Sequence, residues 1–146
     1  MKIKVAWIGK SKEPSFQALT DEYLKRISRY TEVEAVVLKD ERALLKLAAS
    51  DSKGKSTLVI LDSRGVQFSS EEFAKFIGDY RDRNPLPLLF AVGSADGFSE
   101  SARGQAMKVI SLGKMTLPHE LARVVLLEQI YRAFAILAGH PYHSGH

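Results

Sequence analysis

Three observations predict an α/β domain on a mostly parallel sheet. Runs rich in Val, Ile and Leu alternate with helix-like stretches along the chain, which is the pattern of strands joined by crossover helices. Helix start signals fall between those runs. The 146 residues, 45% of them hydrophobic, suit one domain, 1–146, with a core of its own.

The first strand is Lys2 to Ile8, and its apolar run is too short for a signal peptide. The others are Val33 to Leu38, Thr57 to Leu61, Leu86 to Val92 and Val109 to Leu112. Between them the spacing predicts helices over Pro14 to Arg29, Glu41 to Ala49, Glu71 to Arg83 and Glu100 to Met107. The third begins with Ser69-Ser70-Glu71-Glu72, in which Ser69 caps the amides and Glu72 reaches back. The last helix runs from Pro118, in its first turn, to Ala138, ahead of Gly139. Apolar residues surround it and leave no wide polar stripe, so it must be covered on several sides. Either a second copy of the chain or the Pro14 to Arg29 helix supplies the outer cover. No stretch approaches the roughly 18 apolar residues of a membrane span.

Composition removes several functions. With no cysteine, disulfides, thiolate metal sites and cysteine nucleophiles are excluded, and a reducing, cytoplasmic setting is expected. Neither G-x-G-x-x-G nor G-x-x-x-x-G-K-[ST] is present, which argues against a Rossmann dinucleotide site and a P-loop. The missing G-x-S-x-G removes the main reason to propose a serine hydrolase. A net charge of +4 permits an anionic partner.

In a parallel sheet, ligands sit outside the carboxyl ends of the strands. Three loops meet that condition: Asp62 to Gly65, Gly93 to Gly97 and Gly113 to Pro118. The glycines of the second either admit a ligand or serve a tight turn. His140, His143 and His146 lie in a tail with no Cys, Asp or Glu, a poor metal site. That tail is either solvated or folded over an active site, where histidine moves protons and tyrosine stacks on a base. It is expected to contribute little to stability. Glu128 and Arg132, one turn apart, read as a structural ion pair. Arg123 lies elsewhere around the helix and faces a ligand or a partner copy.

Taken together, five segments resemble one family: Leu61-Asp62-Ser63-Arg64-Gly65, Val92-Gly93-Ser94-Ala95-Asp96-Gly97, Ser111 to His119, Arg123 to Ala133 and Pro141-Tyr142-His143. It is the ribosomal RNA large subunit methyltransferase H family, small SPOUT-class enzymes that methylate N3 of a pseudouridine. The resemblance spans the chain and is most specific over Leu86 to His143. It implies a carboxyl-terminal trefoil knot, an exception to the rule against knotted chains, a homodimer, and S-adenosylmethionine as cofactor with no metal. Carried over, the cofactor contacts fall on Leu61, Gly93, Leu112, Gly113, Lys114, Met115, Thr116 and Leu117. Gly93 would permit close approach of the cofactor where a β-carbon collides. Tyr142 would orient the target base, His143 contact RNA or accept the N3 proton, and Arg132 anchor the RNA backbone or the tail. Ser94 stands where many members carry a second glycine, so cofactor contact is not extended to it. The implied partner is large-subunit ribosomal RNA in the assembled ribosome. The competing expectations are a non-enzymatic RNA-binding or ribosome-associated module and methylation of another RNA.

Overall fold

The computed structural model describes residues 1–50 and 54–143, apart from the side chain of His143. The chain runs β1 (Lys2–Ile8), α1 (Pro14–Ser28), β2 (Glu32–Leu38), α2 (Glu41–Ala49), β3 (Thr57–Gln67), α3 (Ser70–Arg83), β4 (Leu88–Val92), α4 (Glu100–Gln105), β5 (Lys108–Ser111) and α5 (His119–Leu137). A 3₁₀ turn over Pro141–His143 follows. The five strands form one parallel sheet in the order β2-β1-β4-β3-β5. Burial explains the order. β4 is buried at every position and is hydrogen-bonded on both sides, whereas β2 carries Glu32, Glu34 and exposed Val37 and lies at an edge.

Helices cover both faces. Ile27 of α1, Phe73 and Ile77 of α3, and Leu127, Ile130 and Phe134 of α5 share a core with Val5, Val59 and Phe90. On the opposite face Leu44 of α2 and Ala102 of α4 pack on Ile60, Leu89 and Ala91 with Phe98. Side chains alternate across a strand, so neighbouring residues of β3 and β4 serve different cores. Ser69 caps α3 with the expected reciprocal box, its hydroxyl accepting from the Glu72 amide while Glu72 accepts from the Ser69 amide.

Two expectations change. Residues 62–65 are not a free loop: β3 continues to Gln67, and its register slips where Leu61 and Val66 both pair with Ile110 of β5. The intervening residues bulge out of the ladder, and a β-bulge re-aims its side chains. Gly65 permits this, because a Cβ there would lie 2.5 Å from the Val109 carbonyl oxygen. The apolar surround of α5 is also explained within one chain. α5 packs against α1 and α3, with Tyr131 between Tyr23 and Tyr30. Its outward residues Leu121, Val125, Glu128, Gln129, Arg132 and Ile136 stay partly exposed. A second copy is therefore not needed to cover most of the helix.

Candidate functional site

At the carboxyl ends of β3, β4 and β5 lies a cleft of about 460 Å³, within the roughly 300–1,000 Å³ of small-molecule sites. Its walls are the β3 bulge, the β4–α4 loop and the β5–α5 segment, closed by His119 and Ala122 of α5. The three loops singled out in the sequence meet here.

The β3 bulge is locked by one ion pair. Asp62 Oδ1 accepts from the Arg64 amide at 3.0 Å and from its Nε at 2.8 Å, and Oδ2 accepts from Nη2 at 2.8 Å. Arg64 Nη2 also donates to the Phe98 carbonyl at 3.1 Å, so the pair ties β3 to the β4–α4 loop. The Asp62 side chain is 2% exposed. The Arg64 guanidinium outweighs the cost of that burial and holds the carboxyl at about 2. Gly97, with φ +75, turns the loop past this carboxylate, where a Cβ would stand 3.3 Å from Asp62 Oδ2.

Gly93 lines the cleft and is also sterically constrained. Its backbone is not left-handed; among the cleft glycines only Gly97 and Gly113 are. A Cβ on Gly93 would meet the Phe98 ring at 3.0 Å. The close neighbour is a buried aromatic ring, which supports the steric reading of this glycine. Gly113, with φ +138, has open space around its Cβ position. Ser111 Oγ donates to the Gly113 carbonyl at 2.8 Å and accepts from its amide at 3.1 Å. That pair sets the exit of β5, and Met115 beyond it is 88% exposed at the cleft.

Leu61, Gly93, Leu112, Gly113, Met115, Thr116 and Leu117 all line the cleft, whereas Lys114 belongs to the same segment without lining it. Tyr142 and Arg132 lie elsewhere. Arg132 is ten residues beyond Ala122, about 15 Å along the helix at 1.5 Å per residue. Its Nε donates to Glu128 at 2.9 Å and its guanidinium sits 5.1 Å from the Tyr142 ring centre, so the ion-pair reading and the tail-anchoring reading meet in one cluster. The chain does not bring this cluster to its own cleft. The His143 side chain lies outside the described residues. Arg123, expected at a ligand or partner, is 2% exposed and points inward. It donates to the carbonyls of Ile8 and Gly9 at 3.0 and 2.9 Å and lies over Trp7. Among the described residues no group of three or more His, Asp or Glu is placed to hold a metal ion, and no helix is long and apolar enough to cross a membrane.

Asp62 and Arg64 lie in a loop singled out by sequence but had no role assigned there, and Ser111 and Ala122 were not assigned to the site at all. Asp62 and Arg64 carried a usable signal, since residues two apart on a strand share a face.

Comparison with known proteins identifies the family. A family model described as "Predicted SPOUT methyltransferase" matches residues 1–143. A protein of Koribacter versatilis (strain Ellin345) named Ribosomal RNA large subunit methyltransferase H is 53% identical over 146 residues, covering all of both chains. Proteins of the same name from Geotalea uraniireducens (strain Rf4) and Geobacter sulfurreducens (strain ATCC 51573 / DSM 12127 / PCA) are 42% and 41% identical, covering 98% of this chain and 99% of theirs. A Legionella pneumophila protein solved with the cofactor SAM bound shares the fold at a TM-score of 0.50 and 14% identity. That match covers 91% of this chain and 66% of the Legionella chain. The chain belongs to the SPOUT methyltransferase family.

Proposed function

We propose that this protein methylates N3 of a pseudouridine in large-subunit ribosomal RNA, using S-adenosylmethionine, as a cytoplasmic homodimer acting on the assembled ribosome. The observation that carries the reading is the cleft itself, in a chain 53% identical over its full length to a protein named for this class of reaction.

The residues present fit the cofactor. The segment 112–117 offers backbone N–H and C=O groups for an adenine edge, and Leu61, Leu112, Leu117 and Ala122 offer apolar faces for its ring. When bound, S-adenosylmethionine supplies a methyl group already activated by its sulfonium. The protein's part is alignment of the base and a route for the N3 proton. The Tyr142 phenol is a donor in that scheme. Burial first, then Tyr23 and the Glu128 carboxylate, push its pKa above the ordinary phenol value, so it stays protonated at neutral pH. His119, in the cleft lining, and His143 of the tail are the imidazoles left for the proton.

The distance between cleft and tail supports action in trans. Tyr142, Arg132 and His143 serve the cleft of a second copy, and the outward residues Leu121, Val125 and Ile136 of α5 supply apolar surface for the contact. The same reading includes the trefoil threading. β5 lies at the sheet edge beyond β3, while α5 returns between α1 and α3, so residues 112–118 carry the chain back across the carboxyl ends.

Isothermal titration with S-adenosylmethionine tests the cofactor assignment. Saturable binding is expected, and absence of binding at millimolar ligand contradicts it and favours a non-enzymatic RNA-binding module.

A further inference from the structure

We propose that the β1–α1 loop, Gly9 to Glu13, is a preformed contact for the phosphodiester backbone of the RNA at the rim of the cleft, made through Lys10 and Lys12. The proposal rests on the methyltransferase reading and names how the substrate is held.

The loop is clamped from below by α5. Arg123, buried to 2% exposure, gives two hydrogen bonds to the last carbonyls of β1 at Ile8 and Gly9. One turn earlier, Glu120 is 8% exposed and accepts from the Lys12 amide at 2.7 Å and from Ser11 Oγ. Gly9, with φ +92, makes the bend between the two anchor points. A surface connection is ordinarily among the more mobile parts of a domain, yet two charged residues of the longest helix hold this one in place.

What the clamp presents is positive charge. Ser11 turns inward to Glu120, and its neighbours Lys10 and Lys12 are exposed. Neither lysine forms an ion pair among the described residues, whereas Lys2, Lys75, Arg26, Arg64 and Arg132 each do. The same turn of α5 faces the cleft with His119 and Ala122. The first turn of α5 thus carries both the clamp on this loop, through Glu120 and Arg123, and part of the cleft lining, and the backbone that bears the two lysines is held before any partner arrives. Preorganised cations of this kind fit an anionic polymer. Among the 21 Lys and Arg of the chain, what sets these two apart is that their loop is held by the same turn of α5 that lines the cleft.

The test uses the full-length protein and large-subunit particles lacking the methyl group. The Lys10→Ala/Lys12→Ala variant is compared with wild type and with Lys10→Arg/Lys12→Arg. Methyl transfer is followed from 50 to 200 mM salt. The expected result is a KM for particles raised about tenfold, kcat within about twofold, unchanged S-adenosylmethionine affinity, and a salt slope reduced by about 1.4, from about 0.7 per lost single-strand phosphate contact. The arginine variant is expected to restore both KM and slope. Glu120→Ala, which keeps both lysines and releases the loop, should raise KM as well. An unchanged KM and salt slope in the alanine variant overturns the proposal. If the wild type itself transfers no methyl group, the methyltransferase reading has failed, and filter binding of the same variants to the particles decides the loop's role by the same slope.

Discussion

The Tyr142 ring stands edge-on to Tyr131, with centroids 4.6 Å apart and planes at 72°, and its phenol donates to Glu128 Oε1 at 3.2 Å. The tail is thus fastened to the far end of α5, with Arg132 over the same ring. This replaces the expectation that residues past the last helix add little to stability. Removing the chain from Pro141 onward should cost about 2–4 kcal/mol, since an edge-to-face aromatic pair contributes about 0.5–1.5 kcal/mol and a hydrogen bond to a charged group about 1.5–3 kcal/mol. Urea unfolding of the truncated protein checks it, and an unchanged midpoint would show the packing to be incidental.

The same truncation separates binding from chemistry. Cofactor affinity should be unaltered, because among the described residues none of the tail lines the cleft, while single-turnover methyl transfer should fall roughly tenfold to ten-thousandfold. Transfer at the wild-type rate would move the proton-handling role to His119.

Gly93→Val should act through Phe98. A Cβ 3.0 Å from a ring that is 3% exposed forces the ring or the β4–α4 loop to move, and overpacking costs about 1–3 kcal/mol. Cofactor affinity is expected to drop at least tenfold as that loop shifts. Adding Phe98→Leu should recover part of the stability. A folded Gly93→Val protein with unchanged affinity would remove Gly93 from the site.

Gly113→Ala isolates backbone strain from crowding. The position has φ +138 and no atom within 4 Å of a Cβ, so the penalty of about 1–3 kcal/mol is conformational. The segment 112–117 should lose its shape, with weakened S-adenosylmethionine binding by calorimetry and little change in core stability. Equal binding by the variant would mean that the segment adapts.

Asp62 gives the acid limb of stability. Its folded value of about 2 lies below the unfolded value of about 3.9, so its contribution is complete above about pH 4 and is lost as pH falls toward 2. Asp62→Asn should lower stability by about 1–3 kcal/mol at pH 7 and flatten the decline between pH 4 and 2. Denaturant midpoints measured across that range would show it, and parallel curves for the two proteins would refute it.

Dimerisation is tested at the outward stripe of α5. Light scattering of the wild type at micromolar concentration should give twice the 16.2 kDa chain mass, and Val125→Glu should halve it by placing an unpaired charge in the contact. A monomeric wild type would contradict action in trans.

Much of this molecule is readable in its sequence, for reasons tied to particular residues. Continuous apolar runs such as Leu88 to Val92 and the Ser69–Glu72 box report local physics, and the sheet and helices follow from them. The cleft loops follow from the parallel order. What was hidden depends on long-range contacts. The bulge of residues 62–65 arises where Gly65 meets the β5 backbone, and Gly93 is constrained by a ring five residues later. Arg123 looked available for a ligand because helical periodicity does not reveal the Ile8 and Gly9 carbonyls beneath it. The separation of Tyr142 from the cleft depends on the length of α5 and on where its two ends lie.

Mass spectrometry of large-subunit ribosomal RNA tests the central claim most directly, after unmodified ribosomes are incubated with the protein and S-adenosylmethionine carrying a deuterated methyl group. The account predicts one labelled methyl group on N3 of a pseudouridine, appearing at least about tenfold more slowly when the tail from Pro141 is removed. No label in that RNA, or label confined to another nucleoside or to transfer RNA, would contradict it.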